Sequence, residues 1–130
     1  MPTNSARCML APTLAAARTE RVHRGPALIT LAAGDEIQQY IDGSHRRVIL
    51  DFYADWCGPC RQQGRVLHEI EYVASDANAL IVKINVDQHQ DLTKAFSVNA
   101  LPTLIVYGDG KILERRTGLT GANTLKSWVR

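Results

Sequence analysis

Two cysteines three positions apart are the strongest chemical feature of this sequence. Cys57 and Cys60 lie in the segment Trp56-Cys57-Gly58-Pro59-Cys60, between an apolar run and a helical pattern, so a strand is predicted to lead directly into a helix there. The start of a helix has unpaired N–H groups and the positive end of the helix dipole. A thiol at that position loses its proton more easily, and the thiolate is the nucleophile in disulfide exchange. The spacing therefore predicts a dithiol redox site.

The two cysteines are predicted to have different roles. Residues at i and i+3 lie on the same side of the first turn, close enough to form a disulfide. Pro59 suits the first turn because its missing N–H has no helical partner there, and Gly58 leaves the backbone open to an approaching molecule. We expect Cys57 to be exposed and to attack, and Cys60, one turn into the helix, to resolve the mixed disulfide.

A static disulfide or half of a zinc site are the alternatives. A structural zinc ion usually takes four ligands. The third cysteine, Cys8, lies far away in the N-terminal tail, and His68 has no partner at ligand spacing. A C-x-x-C pair in a βαβ context favours redox chemistry, and no metal is expected.

Short apolar runs alternate with helical patterns from Ala27 onward, which indicates an α/β class with some parallel strands. Strands are predicted at 27–31, 47–53, 80–86, 103–107 and 111–117, and helices at 35–41, 57–74, 91–96 and after Thr120. Asp91 and Thr120 are candidate N-caps. Gly108-Asp109-Gly110 predicts a hairpin turn because Asp-Gly tolerates positive φ.

Several segments resemble the thioredoxin family in the same order along the chain. They are Asp51-Phe52-Tyr53-Ala54-Asp55-Trp56-Cys57-Gly58-Pro59-Cys60, Lys83-Ile84-Asn85-Val86-Asp87, Leu101-Pro102-Thr103 and the turn glycines Gly108, Gly110 and Gly118. The resemblance covers residues 26–130 and implies a thioredoxin fold, with a central mixed sheet of four to five strands and helices on both faces. Two positions depart from the family pattern. Many members have tryptophan where this chain has Tyr53, and a helix-kinking proline where it has Arg65.

Asp51 is an unusual residue in its strand because its neighbours are apolar. Burial should raise the pKa of its carboxyl group well above the reference value of about 3.9, unless it lies in water at the strand end. The resemblance assigns it the removal of the proton from Cys60, directly or through a water. The resemblance also places Lys83 beside Asp51, where it tunes the carboxyl group, although its chain could instead extend into solvent.

The resemblance implies further site residues around the cysteines. Pro102 matches the family's cis-proline, which pairs through its backbone with an extended substrate. Sequence alone does not indicate a cis bond, because only about 5–6% of X-Pro bonds in folded proteins are cis. A flat apolar substrate-binding rim is implied at Trp56, Gly58, Pro59, Ala100, Leu101 and Gly118.

The implied function is a protein disulfide reductase cycling between dithiol and disulfide. Disulfide-containing proteins are its expected substrates, and a flavin- and NADPH-dependent thioredoxin reductase its expected recharging partner. No bound cofactor is expected besides the redox-active Cys57–Cys60 disulfide, and the chain is expected to be a monomer. Two alternatives are an exported thiol reductase for envelope proteins or cytochrome maturation, and a non-catalytic binding module.

Charge separates the N-terminal tail from the rest of the chain. The 130 residues have a formal charge of +2, and the first 24 contain four arginines and one glutamate. The net charge of the remainder is therefore near zero, which does not favour binding to nucleic acid. No apolar run reaches the ~18 residues that span a membrane. Residues 1–25 are predicted to be a flexible basic extension of a cytoplasmic protein, with a secretory signal or an organelle transit peptide as alternatives.

Overall fold

The computed structural model describes residues 26–130. The predictions made for residues 1–25, namely the flexible extension, the targeting alternatives and any role of Cys8, lie outside the described residues. The cytoplasmic location depends on the same segment and therefore stays a prediction.

Between residues 26 and 130, five strands and five helices follow one another in the predicted order, except that the helix predicted at 57–74 is divided in two. They are β1 (Leu28–Thr30), α1 (Gln38–Ile41), β2 (Arg47–Tyr53), α2 (Gly58–Glu69), α3 (Glu71–Asp76), β3 (Ala79–Asn85), α4 (Gln90–Ala95), β4 (Thr103–Gly108), β5 (Lys111–Thr117) and α5 (Ala122–Val129). The Asp-Gly turn between β4 and β5 has positive φ at Asp109 and Gly110, as predicted.

The five strands form one mixed sheet in the order β1-β3-β2-β4-β5. β2 lies at its centre, parallel to β3 and antiparallel to β4. Its residues 48–52 are all buried because both faces of the sheet are covered. The strand that leads into the Cys57–Cys60 segment is therefore paired along both edges and covered on both faces.

The helices cover the two faces of the sheet with two separate apolar cores. On one face, α2, α3 and α5 pack on the sheet, with Leu67, Ile70 and Leu125 fully buried. On the other face, α1 and α4 pack over Leu50 and Phe52. This arrangement confirms the predicted α/β class and the helices on both faces.

Three local predictions were wrong. The helix predicted at 57–74 is interrupted at Ile70, whose φ of −97° and ψ of 8° are not helical. Gly64, a weak helix former, lies inside the first of the two helices and does not interrupt it. Ile70 remains fully buried, so the apolar stripe continues across the interruption. Asp91 and Thr120 are not N-caps. The N-cap residues are His89 for α4 and Gly121 for α5, and no side chain makes a capping hydrogen bond at either helix.

None of the helices between residues 26 and 130 is both long enough and apolar enough to cross a membrane.

Candidate active site

The N-terminus of α2 holds both cysteines. Cys57 is the N-cap residue, Pro59 lies in the first turn, and Cys60 follows inside the helix. The two residues form a disulfide with their Cα atoms 5.2 Å apart. The Cys60 N–H donates to the Cys57 sulfur at 3.2 Å. The same N–H and the helix dipole would stabilise a thiolate at Cys57 in the reduced protein.

The difference in exposure between the cysteines is smaller than expected. Cys57 is 7% exposed and Cys60 is 2% exposed, so both are buried in the disulfide form. The expectation that Cys57 is exposed is therefore wrong for this oxidised state. Cys57 forms a small buried cluster with Ala54 and Cys60, and Leu101 packs against that cluster. Cys57 remains the more accessible of the two.

Asp51 is fully buried in the centre of β2, and neither carboxylate oxygen has a hydrogen-bond partner. Loss of hydration raises the pKa of its carboxyl group to about 7, although the positive charge of Lys83 opposes the shift. The raised pKa agrees with the prediction from sequence. A carboxyl group with this pKa changes protonation state near neutral pH, as a general base must.

Lys83 lies beside Asp51 on the neighbouring strand, in register with it across the β2–β3 pair. Its Nζ atom lies 4.5 Å from the centre of the Tyr53 ring, and a Cβ atom at Gly64 would be 3.1 Å from it. The ammonium group is therefore under α2, about one turn beyond Cys60. This position supports the tuning role for Lys83 and places the Asp51 environment beneath the cysteine helix.

Replacing Lys83 by methionine should raise the pKa of Asp51 further. The variant keeps most of the side-chain volume but removes the positive charge that now lowers that pKa. A ¹³C NMR titration of the Asp51 carboxyl carbon measures the change. Lys94→Met, on the helix that covers the other face of the sheet, is the matched control. An Asp51 titration that stays unchanged or moves to lower pH in Lys83→Met would contradict the tuning role.

The loop before β4 contains a cis peptide bond between Leu101 and Pro102. The cis geometry confirms the expectation drawn from the resemblance. The Thr103 hydroxyl donates to the Ala100 carbonyl at 2.6 Å, and the Gly118 N–H donates to the Pro102 carbonyl at 2.8 Å. The first bond closes the loop on itself, and the second holds it against the neighbouring segment after β5.

The predicted rim residues differ in accessibility. Trp56 is 70% exposed, Gly58, Pro59 and Ala100 are exposed, and Leu101 and Gly118 are partly buried. An open groove of about 290 Å³ lies between Trp56, Val86, Val98, Ala100 and Leu101, together with Thr93 and Asn99. An exposed apolar groove next to a redox-active cysteine suits the docking of another protein.

Two contacts of residues near the cysteines were missed from the sequence. The Trp56 indole N–H donates to the Asp87 carboxylate at 3.0 Å, which fixes the orientation of the exposed ring. Gln63 is fully buried in α2 and exchanges two hydrogen bonds with the backbone of Thr120. Gln63 could have been found, because it is a polar residue at the i−4 position of Leu67 and the i−7 position of Ile70 on the apolar stripe. The Trp56–Asp87 contact joins residues 31 positions apart and has no comparable pattern.

No group of three or more histidine, cysteine or carboxylate side chains is arranged to hold a metal ion in the part of the chain that the structure describes. The His68 Nδ1 atom lies 3.5 Å from the Glu71 Oε1 atom, at the α2–α3 junction. The redox-active group in this region is the Cys57–Cys60 disulfide.

Comparison with known proteins gives one consistent result. The family model for thioredoxin matches residues 28–130. A thioredoxin of Mycoplasmoides gallisepticum is 33% identical over 95 residues, which is 73% of this chain and 92% of that protein. A Bacillus subtilis thioredoxin is 38% identical over 82 residues, 63% of this chain and 78% of that protein. The solved structure of a mutant thioredoxin from Halobacterium salinarum NRC-1 is similar with a TM-score of 0.69 and 32% identity, covering 82% of this chain and 96% of that one.

Proposed function

Because this chain belongs to the thioredoxin family and is a thiol-disulfide oxidoreductase, we propose that it reduces the disulfide bonds of other proteins, with Cys57 attacking and Cys60 resolving. The observation that carries the proposal is the position of the Cys57 sulfur. It caps α2, accepts the Cys60 N–H and forms a disulfide with Cys60. The enzyme class fits the family, whereas the roles of the individual residues are our proposal.

In the first step, the Cys57 thiolate of the reduced protein attacks one sulfur of a substrate disulfide. A bond forms between the Cys57 sulfur and that substrate sulfur, and the other substrate sulfur leaves as a thiolate. The product is a mixed disulfide between the two proteins. The N-terminus of α2 lowers the cost of the attacking thiolate near neutral pH.

In the second step, Cys60 loses its proton and attacks the Cys57 sulfur. The Cys57–Cys60 disulfide forms, the bond to the substrate breaks, and the second substrate sulfur leaves as a thiolate. Two electrons have then passed from the cysteine pair to the substrate. Asp51, with its pKa of about 7, accepts the Cys60 proton directly or through a water.

Substrates are proposed to be extended segments of disulfide-containing proteins. The backbone around cis-Pro102 pairs with such a segment, and the groove beside Trp56 accepts its apolar side chains. After each turnover the chain holds the disulfide seen in the structure. A reductase that supplies two electrons, which we propose to be a flavin- and NADPH-dependent enzyme, returns it to the dithiol.

The protein should accelerate the reduction of insulin disulfides by dithiothreitol, measured as the turbidity of the precipitating B chain. The double variant Cys57→Ser, Cys60→Ser removes both reacting sulfurs and should leave only the background rate of dithiothreitol alone. Cys8→Ser is the matched control, because it removes the remaining cysteine and should keep the full rate. Equal rates for the protein and the double variant would favour the non-catalytic binding module instead.

A further inference from the structure

We propose that Gln63 is a positioning residue that holds the segment Gly118–Thr120 against α2 and so sets the position of the cis-Pro102 loop relative to the cysteines. The inference rests on the proposed function. Gln63 has no role in the cysteine chemistry described above.

The first observation is a reciprocal pair of hydrogen bonds. The Gln63 side-chain amide donates from Nε2 to the Thr120 carbonyl at 3.0 Å, and the Thr120 N–H donates to Gln63 Oε1 at 2.7 Å. One side chain therefore satisfies both backbone groups of a buried residue 57 positions away. Both residues are buried, with Gln63 at 0% and Thr120 at 1% exposure, so water does not replace these bonds.

The second observation is the position of Gln63 relative to the cysteines. It lies three residues after Cys60, on the same side of α2. Because Gln63 and Cys60 belong to the same helix, the position of the Gln63 side-chain amide is tied to the position of the disulfide. Thr120 in turn lies two residues from Gly118, in the short segment between the end of β5 and the start of α5.

The third observation connects this segment to the cis-proline loop. The Gly118 N–H donates to the Pro102 carbonyl at 2.8 Å. A continuous path thus runs from Cys60 through Gln63, Thr120 and Gly118 to Pro102. The two ends of the path are the groups between which an extended substrate must fit.

An apolar residue would fill the Gln63 position at less cost. The site lies on the apolar stripe of α2, and burying an amide is unfavourable unless its hydrogen bonds are complete. Complete buried polar contacts specify one geometry where apolar packing accepts several. We infer that the amide is used here to fix the segment that is hydrogen-bonded to the cis-Pro102 loop.

Gln63→Met should raise the KM for insulin about three- to tenfold, because the segment that holds the cis-Pro102 loop loses both of its hydrogen bonds to α2. Methionine has a similar length and packs adaptably, so the fold should persist. The kcat with insulin and the rate of reaction with 5,5′-dithiobis(2-nitrobenzoate) should stay within about twofold, because that small disulfide has no peptide backbone to pair with the cis-Pro102 loop. Hydrogen exchange at the Thr120 amide should become faster.

Gln62→Met is the matched control, since Gln62 is the exposed neighbour on the same helix. If Gln63→Met does not fold, Gln63→Asn gives the same comparison, because it keeps the amide but is one methylene too short to reach Thr120. An insulin KM equal to that of Gln62→Met would overturn the inference, as would equal losses with insulin and the small disulfide. Failure of the unsubstituted protein to reduce insulin would instead overturn the proposed function.

Discussion

Cys60→Ser should convert the protein from a catalyst into a trap for its substrates. Cys57 would keep its position at the N-terminus of α2 and would still attack a substrate disulfide. The N–H that residue 60 donates to the Cys57 sulfur belongs to the backbone, so serine retains it. No second thiol would then remain in the active-site segment to release the bound substrate. We expect up to one equivalent of mixed disulfide per chain and loss of catalytic turnover.

Non-reducing electrophoresis and intact mass after incubation with oxidised insulin would measure this product. Cys57→Ser is the matched variant in which the attacking sulfur is missing, and it should accumulate no mixed disulfide. Equal trapping by the two variants would show that the sulfurs are equivalent and would reject the assigned order of attack. Trapping by Cys57→Ser alone would reverse the two roles.

The sheet was predictable because its strands are strongly patterned. Residues 47–53 are apolar at both alternating positions, and only a central strand covered on two faces buries such a run. The same pattern made Asp51 stand out, since one carboxyl group interrupts the run. Its burial and raised pKa therefore followed from local sequence together with the cost of removing a charge from water.

Other features depended on tertiary contacts that local patterns do not contain. The interruption at Ile70 leaves the apolar stripe intact, so a sequence period cannot detect it. Cys57 is buried in a small cluster against which Leu101 packs, a residue 44 positions later in the chain. Thr120 has a side chain typical of an N-cap, but its backbone bonds to Gln63 and the helix begins one residue later.

Asp51→Asn should stabilise the protein in neutral and alkaline solution and should do so less as the pH falls. The pKa of Asp51 is raised from 3.8 to about 7 in the folded protein. Below pH 3.8 the group is protonated in both the folded and unfolded states, so its ionisation has no effect on stability. Between pH 3.8 and 7 the folded state holds a proton that the unfolded state has released, so stability falls as the pH rises.

Above pH 7 the full penalty of the buried carboxylate is present, on the order of 4 kcal/mol for a shift of roughly three pKa units. Asparagine stays neutral at every pH. Its amide is also buried, but the cost of burying it does not change with pH. The difference in unfolding free energy between the variant and the unsubstituted protein should therefore increase by about 4 kcal/mol from pH 4 to pH 8, measured by urea unfolding of the oxidised forms.

Asp109→Asn, in the exposed β4–β5 turn, is the matched control, because it makes the same substitution at the surface. A flat pH dependence for Asp51→Asn would mean that Asp51 ionises as freely as an exposed residue and could not act as the base near neutrality. The predicted slope would instead show that the fold keeps a destabilising carboxyl group beneath its reactive cysteines. Such a cost is expected where a buried group serves catalysis, since an apolar residue of similar size would make the protein more stable.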